Sequence, residues 1–264
     1  MNARTTARIA ALMAVVALGA TACSSGDSSP SPSASASSSG DAPVTLTVFA
    51  AASLKKGFTE IAADFQKAHP NVTVKTTFDG SSALVTQIKQ GATADVIATA
   101  DEKTMTSLGD SAVNPRTFTR NVLTIITAPG NPKRIESVRD LARSGVTTVL
   151  CAPQVPCGNA AATVERNTGV DIRPASEETS VSGVVTKVTS GQADAGLVYT
   201  SDAKAAGSAV TSVNDPAFAA VVNEYPIAVV KGSQHAGEGR QFIDLVTGST
   251  GQEVLSGLGF GAGR

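Results

Sequence analysis

The chain has 264 residues, of which 42% are hydrophobic, 16% charged and 4% aromatic, with no Trp and a formal net charge of −1. A net charge near zero excludes nucleic acid and anionic membrane surfaces as partners that bind through the overall field of the protein. The charged fraction lies below the roughly 25% of average globular chains, so Ser, Thr, Asn and Gln must supply more of the polar surface.

The N-terminal segment has the pattern of a secretory leader. Residues 1–22 contain two arginines and no acid, and the apolar run at 9–20 is too short to span a bilayer. The run leads into Ala-Thr-Ala-Cys, which ends at Cys23 and resembles the bacterial lipobox, although Ala20 stands where Leu is usual. We expect residues 1–22 to be a lipoprotein signal peptide and Cys23 to carry the lipid. Ordinary secretory cleavage beside an incidental cysteine is the alternative.

A serine-rich segment follows Cys23. Ten of the seventeen residues at 24–40 are Ser, two are Pro, and none is a large apolar residue. Such a segment buries too little surface to offset the entropy of ordering. We therefore expect residues 23–43 to be a lipid-anchored tether that holds a folded domain outside the cytoplasm, at the cell membrane. Loss of residues 1–22 removes two cations and no anion, which changes the formal charge from −1 to −3.

Strand and helix patterns alternate through the rest of the chain. Short apolar runs between turn residues predict strands, and apolar residues at helical spacing predict helices. This alternation indicates an α/β fold with mostly parallel sheets. The predicted strands are 45–49, 72–78, 95–98, 122–127, 147–151, 195–199 and 225–230. The predicted helices are 54–68, 83–90, 137–142, 159–167, 181–190, 240–246 and 251–255.

Two cysteines, Cys151 and Cys157, close a short loop of sequence Cys-Ala-Pro-Gln-Val-Pro-Cys. Outside the cytoplasm a nearby pair tends to oxidise, so we expect a disulfide, which in a loop this short stabilises the fold by about 2–3 kcal/mol. Free thiols are one alternative. A metal site is the other, although the spacing differs from the two-residue gap of zinc sites and no His lies nearby.

The sequence offers little support for an active site. His69 precedes a proline and His235 lies in a Gly-rich loop, and both are interpreted as solvated side chains. The glycines at 259–263 precede no helix, so they do not form a dinucleotide-binding loop. The segment 79–82 lacks the flanking glycines of a nucleophile elbow. We therefore expect a protein that is not an enzyme and uses no cofactor.

Small residues recur between a predicted strand and the helix that follows it. They form four turns, at 50–54, 79–84, 155–159 and 180–184. In α/β sheets ligands bind outside the carboxyl ends of strands, where helix N-termini offer unpaired N–H groups and a partial positive charge. A Ser in one such turn is, taken singly, an ordinary helix cap. Four turns without Lys or Arg favour a shared anion site.

Six segments, in order along the chain, carry a family resemblance. They are VFAAASL at 48–54, GSSAL at 80–84, GATADV at 91–96, VPCG at 155–158, GLVYTSDA at 196–203 and EYPIAV at 224–229. They resemble the periplasmic molybdate-binding proteins of molybdate ABC transporters, over nearly all of residues 44–262. The resemblance implies a class II periplasmic-binding-protein fold, in which two α/β lobes are joined by two crossing strands with the ligand in the cleft. The strands would cross near Val122–Thr127 and Tyr225–Val230, so that lobe one holds residues 44–123 and 226–264 and lobe two holds 124–225.

The resemblance also implies which residues bind the ligand. In this family hydroxyls and main-chain N–H groups hold the oxyanion, so molybdenum would be bound only as molybdate. By motif position, Ser53 and Ser81 would each give a hydroxyl and an amide, Cys157 and Val181 amides, and Tyr199 its phenol. The family often has Ala where Cys157 stands, and residues 180–183 lack the acidic-Val-Arg pattern of some members.

These patterns together predict a monomeric, lipid-anchored receptor that binds molybdate, and also tungstate, and delivers it to an ABC permease. A pocket made only of donors disfavours phosphate, which keeps a proton at neutral pH and needs an acceptor. Sulfate makes the same demand for donors as molybdate, so a binding protein for another tetrahedral oxyanion such as sulfate is the first alternative. A secreted hydrolase of similar fold is the alternative from another class. Asp79 is the acid closest to the predicted cleft, and we expect it to point away or to cap its own turn.

Overall fold

The computed structural model describes residues 42–263. The predicted signal peptide at 1–22, the predicted lipid on Cys23 and the tether up to residue 41 lie outside the described residues. Within the described range, no helix combines the length and the apolar character that crossing a membrane requires.

Ten strands and eight α-helices alternate along the described chain. The strands are β1 (Val44–Ala51), β2 (Val72–Asp79), β3 (Val96–Ala98), β4 (Ala112–Thr127), β5 (Thr148–Cys151), β6 (Ser176–Glu178), β7 (Ala195–Tyr199), β8 (Thr211–Val213), β9 (Val222–Val230) and β10 (Gly261–Ala262). The helices are α1 (Lys55–Ala68), α2 (Ser81–Lys89), α3 (Glu102–Thr106), α4 (Pro156–Thr168), α5 (Val181–Thr189), α6 (Thr200–Ala206), α7 (Ala236–Thr247) and α8 (Ser249–Gly257).

Eight of the strands follow one path, in the order β2-β1-β3-β9-β4-β7-β5-β6, and β8 and β10 each pair with β4. β1 pairs in parallel with β2 and β3, and we call these three the first strand group. β5 pairs in parallel with β6 and β7, which form the second strand group. Between the groups run β9 and β4, antiparallel to each other and to their neighbours β3 and β7. The α/β prediction is confirmed, but the sheet is mixed where the sequence predicted mostly parallel pairing.

Strand β4 belongs to both parts of the sheet. Its first eleven residues, from Ala112 to Val122, lie along β9, and Leu123–Thr127 pair with β7. The sequence predicted only 122–127 as strand. Residues 113–116 of this earlier stretch are exposed, its pairing with β9 contains two register shifts, and Asn114 adopts a left-handed φ of 48°. An exposed, irregular strand carries no alternating apolar pattern, so it is invisible to periodicity.

The helices pack their apolar faces against the sheet. The five apolar residues on one face of the first predicted helix, 54–68, are all buried. Phe58 and Phe65 of α1 meet Phe242 of α7 edge to face, with ring centroids 5.9 and 5.5 Å apart. Each fully buried side chain of this size contributes about 1.5–3 kcal/mol, so this cluster holds the helices over the first strand group. The buried face is Leu54, Phe58, Ile61, Ala62 and Phe65.

Helix starts and short elements account for most differences from prediction. α2 and α4 begin at Ser81 and Pro156, two and three residues before the predicted starts. The helix predicted at 137–142 is a 3-10 turn, Val138–Ala142. Five elements of two to seven residues were not predicted, because so few residues show no periodicity. They are α3, β6, α6, β8 and β10.

Candidate functional site

Six strands, three from each strand group, end around one small cavity. Because the strands within each group are parallel, their carboxyl ends meet at one edge, where α/β proteins bind ligands. The cavity measures about 20 Å³, far below the roughly 300–1,000 Å³ of pockets that hold organic ligands, so it suits a single small ion. It is lined by Ala51, Ala52, Ser53, Gly80, Ser81, Ala100, Val155, Pro156, Cys157, Thr179, Ser180, Val181 and Tyr199.

All five residues that the sequence predicted as ligand contacts line this cavity, although they come from distant parts of the chain. Their contact with an oxyanion stays a prediction. The five are Ser53, Ser81, Cys157, Val181 and Tyr199. We call Ser53, Gly80, Ser81 and Ala100, which follow β1, β2 and β3, the first wall. The second wall is Val155, Cys157, Thr179, Val181 and Tyr199, at the ends of β5, β6 and β7.

Helix N-termini are the source of positive potential within the lining of the cavity, since none of its lining residues carries a formal charge. α2, α4 and α5 all begin at the cavity, and their first turns present the positive ends of the helix dipoles. Among the residues that the structure describes, no side chain caps these three N-termini. Ser180 is the N-cap of α5 but makes no capping bond, so the first-turn amides stay available to an anion.

Cys151 and Cys157 are joined by a disulfide, with their Cα atoms 5.7 Å apart. Cys151 ends β5 and Cys157 lies in the first turn of α4, so the bond ties the strand end to the helix N-terminus. The next residue is Gly158, where a Cβ atom would lie 1.9 Å from the carbonyl oxygen of Ala152. The disulfide and this close approach fix the main chain of the second wall.

The two serine hydroxyls of the first wall are held by neighbouring groups. Ser81 Oγ accepts a hydrogen bond from Ala100 N at 3.0 Å, and Ser81 is 1% exposed. Ser53 Oγ lies 3.0 Å from the hydroxyl oxygen of Tyr225, and either group can donate. An ion that only accepts hydrogen bonds fixes the direction of both bonds. Ser53 then donates to the ion, and Tyr225 donates to Ser53.

The phenol of the second wall, Tyr199, is held in the same way. Its hydroxyl oxygen accepts a hydrogen bond from Asn223 Nδ2 at 3.0 Å. Its ring meets that of Tyr225 edge to face, with centroids 5.7 Å apart. Burial raises the pKa of both tyrosines well above the usual range. Both phenols are therefore protonated at any physiological pH and can donate.

The two walls touch across the cavity. A Cβ atom on Gly80 would lie 2.1 Å from the carbonyl oxygen of Thr179, so only glycine allows this approach. The φ of Gly80 is −57°, which any residue can adopt, so space and not backbone conformation requires the glycine. Nearby, Ser82 Oγ donates to the carbonyl oxygen of Gln154 at 2.9 Å. The cavity is thus enclosed by both strand groups.

The remaining polar candidates lie away from the cavity. Asp79 Oδ1 accepts from Gly80 N at 2.7 Å, the turn-capping role expected for it, and Asp79 is not among the lining residues. His69 stacks on Phe65 with ring centroids 4.3 Å apart, and His235 lies beside the first helical residue of α7. Within residues 42–263, no three or more His, Cys, Asp or Glu side chains are grouped so as to hold a metal ion.

A larger groove of about 550 Å³ adjoins the cavity but contains only Ser53 of the five predicted contacts. Its walls are largely apolar, with Val185, Leu258 and Phe260. Asp202 also lines it, and burial raises the pKa of this carboxyl to about 7, opposed by the hydrogen bond that Asp202 Oδ2 accepts from Tyr199 N. The groove is far larger than one oxyanion and holds the carboxyl of Asp202 as well as two lysines, Lys55 and Lys56, so the small uncharged cavity that holds all five predicted contacts is the better fit for a single ion.

Sequence analysis missed three residues that hold the hydroxyls in place: Ala100, Asn223 and Tyr225. Tyr225 lies in the segment 224–229 that resembles the family, which was the available signal. Asn223 precedes that segment and Ala100 acts through its backbone, so neither had a signal in the sequence.

The chain is similar to known proteins along most of its length. Residues 46–261 match the family described as bacterial extracellular solute-binding protein. The molybdate-binding protein ModA of Mycobacterium bovis is 47% identical over 219 residues, which cover 82% of this chain and 84% of the relative. The solved structure of the Azotobacter vinelandii periplasmic molybdate-binding protein superposes with a TM-score of 0.73 at 22% identity, over 83% of this chain and 100% of that one. The sulfate-binding protein SubI of Mycobacterium tuberculosis gives a TM-score of 0.68 at 22% identity, over 82% and 86%. At such identities the two superpositions concern the fold alone.

Proposed function

The chain belongs to the family of bacterial extracellular solute-binding proteins, and we propose that it is the receptor that captures molybdate outside the cytoplasm and delivers it to an ABC permease. The observation that carries this proposal is the convergence of the five predicted ligand residues, from both strand groups, on one small uncharged cavity. The 47% identity to a molybdate-binding protein supports the choice of ion. Tungstate has the same charge and geometry and is a second ligand.

The hydrogen bonds around the cavity support an acceptor-only ligand. Ser81 and Tyr199 each accept from a neighbouring donor, which leaves their own protons for the ion. Molybdate is fully deprotonated at neutral pH and accepts from every donor. Hydrogen phosphate must also donate a proton, so one cavity hydroxyl would have to turn and give up its own donation to the ion, which costs about 1–3 kcal/mol, or about 10- to 100-fold in affinity.

Closure of two lobes on the ion is part of the proposal. Lobe one comprises residues 44–123 and 226–264, and lobe two comprises 124–225. The change of partner along β4, from β9 to β7 after Val122, supports the first boundary. Because the two walls come from different lobes, a full set of donors exists only in the closed form, so the ion stabilises closure.

Anchoring at the cell membrane is proposed from the sequence. Family membership makes the protein extracytoplasmic. The lipobox-like sequence before Cys23 and the serine-rich segment at 24–40 support a signal peptide, a lipid anchor and a tether. The receptor would act as a monomer beside its permease.

Titration calorimetry of the purified protein with molybdate, tungstate, sulfate and phosphate tests the proposal. We expect one ion per chain for molybdate and tungstate, and phosphate binding at least about tenfold weaker. Sulfate is the competitor that matters, because the fold is shared with a sulfate-binding protein. Sulfate binding as tight as that of molybdate would make the protein a general oxyanion receptor, and no heat with either ion would contradict the proposal.

A further inference from the structure

Asn223 lies outside the cavity but contacts groups of both walls. It belongs to β9, between the two strand groups, and is 5% exposed. Its Nδ2 atom donates to the carbonyl oxygen of Ala100 at 2.9 Å and to the hydroxyl oxygen of Tyr199 at 3.0 Å. One side-chain amide therefore joins a residue of the first wall to a ligand hydroxyl of the second.

The orientation of this amide follows from its partners. A carbonyl oxygen only accepts, so the nitrogen of Asn223, and not its oxygen, must face Ala100. The same nitrogen faces Tyr199, so both of its N–H groups are used. Tyr199 therefore accepts from Asn223, and its own proton remains for a second partner. The buried phenol keeps that proton, because its pKa is raised by burial.

The influence of Asn223 reaches the first wall through Ala100. The carbonyl oxygen of Ala100 accepts from Asn223, and the N–H of Ala100 donates to Ser81 Oγ at 3.0 Å. Ser81 Oγ thus has one of its two acceptor positions filled by a residue that Asn223 holds in place. Two ligand hydroxyls, one on each wall, depend on the same amide for their direction.

We propose that Asn223 is a positioning residue that makes these hydroxyls donate into the cavity, and that it thereby sets the preference for fully deprotonated oxyanions over protonated ones. This inference rests on the proposed function, in which the cavity binds molybdate. A protonated oxyanion must donate once, and Asn223 has filled the acceptor position of Tyr199 that could receive that proton.

Replacing Asn223 by Asp tests the inference, because the side chain keeps its size and only its hydrogen-bond polarity and charge change. The carboxylate accepts the proton of Tyr199, which turns the phenol oxygen into an acceptor toward the cavity. At pH 8 molybdate and hydrogen phosphate both carry two charges, so the new carboxylate repels them alike. We expect Asn223→Asp to weaken molybdate binding and to lower the ratio of molybdate to phosphate affinity at least about tenfold. Displacement titration gives the phosphate affinity where direct titration is too weak.

A double-mutant cycle separates positioning from structural damage. In the Tyr199→Phe background the phenol is absent and only the indirect path through Ala100 to Ser81 remains, so Asn223→Asp should change the affinity ratio by a clearly smaller factor than in the wild-type background. Asn223→Ala is a second variant, for use if Asn223→Asp does not fold. It should lower the ratio of molybdate to phosphate affinity by about threefold, because a water molecule replaces the hydrogen bonds of the amide only in part. A ratio that stays constant while both affinities fall together would overturn the inference. A wild-type protein that does not bind molybdate would instead overturn the proposed function.

Discussion

The two walls of the cavity offer donors to one ion by different means. The first wall adds to its main-chain N–H groups the side-chain hydroxyls of Ser53 and Ser81, each held by a neighbouring group. The second wall presents the main chain of Cys157 and Val181 at uncapped helix N-termini, together with the phenol of Tyr199. A donor can thus be specified by the identity of a residue or by the path of the backbone. A single substitution removes a side-chain donor but leaves a main-chain N–H donor in place.

The largest effect is expected where the two walls meet. Gly80→Ala would place a Cβ atom 2.1 Å from the carbonyl oxygen of Thr179, so the walls could not close. Overpacking of this kind costs on the order of 1–3 kcal/mol, and we expect molybdate affinity to fall by about 100-fold. The melting temperature without ligand should stay nearly unchanged, because separation of the two walls, as proposed for the empty receptor, would leave room for the methyl group. Calorimetry and thermal melting measure the two quantities.

Gly158→Ala is the matched control for this substitution. Its Cβ atom would lie 1.9 Å from the carbonyl oxygen of Ala152, a contact within the second strand group that no opening relieves. This variant should melt earlier than the wild type in the absence of ligand. If Gly80→Ala melted equally early, Gly80 would be a packing residue and not the point of closure.

The next effect is expected from the hydroxyls of the first wall. Ser53→Ala removes one donor and should weaken molybdate binding at least about tenfold, with little change in the melting temperature. Ser81→Ala should weaken binding similarly but also lower stability by about 1–3 kcal/mol, because it leaves Ala100 N without its partner. Ser256→Ala is the control, because its exposed hydroxyl donates within α8, to the carbonyl oxygen of Glu253, and it should bind as the wild type does. A Ser53→Ala protein with full affinity would remove Ser53 from the site.

The smallest effect on binding is expected in the second wall. Replacing both Cys151 and Cys157 by Ala leaves the main-chain N–H groups present, so molybdate affinity should change by less than about threefold. The free energy of unfolding should fall by about 2–3 kcal/mol, because the disulfide closes a short loop. Denaturant unfolding measures the free energy of unfolding, and calorimetry measures the molybdate affinity. A loss of affinity as large as that of Ser53→Ala would show that the disulfide itself positions the helix N-terminus.

The contrast between the walls also explains how much the sequence could predict. Strand β7 was found because its apolar run is buried throughout, and the start of β4 was missed because it is exposed and irregular. The five cavity residues were found by the family resemblance of their turns. The contacts of Asn223 and Ala100 were not predictable, because they depend on which strands become neighbours across the sheet. The same holds for Gly80, whose φ is ordinary and whose need for space arises only when the walls meet.

The absence of formal charge among the lining residues has a consequence for the loaded receptor. Neutral donors hold a dianion without cancelling it, so a protein that has taken up molybdate becomes two elementary charges more negative than the empty one. That added field extends about 8–10 Å into a solution of physiological ionic strength before salt screens it. A partner at the mouth of the closed cleft would therefore meet a surface that differs between full and empty receptors in its potential as well as its shape.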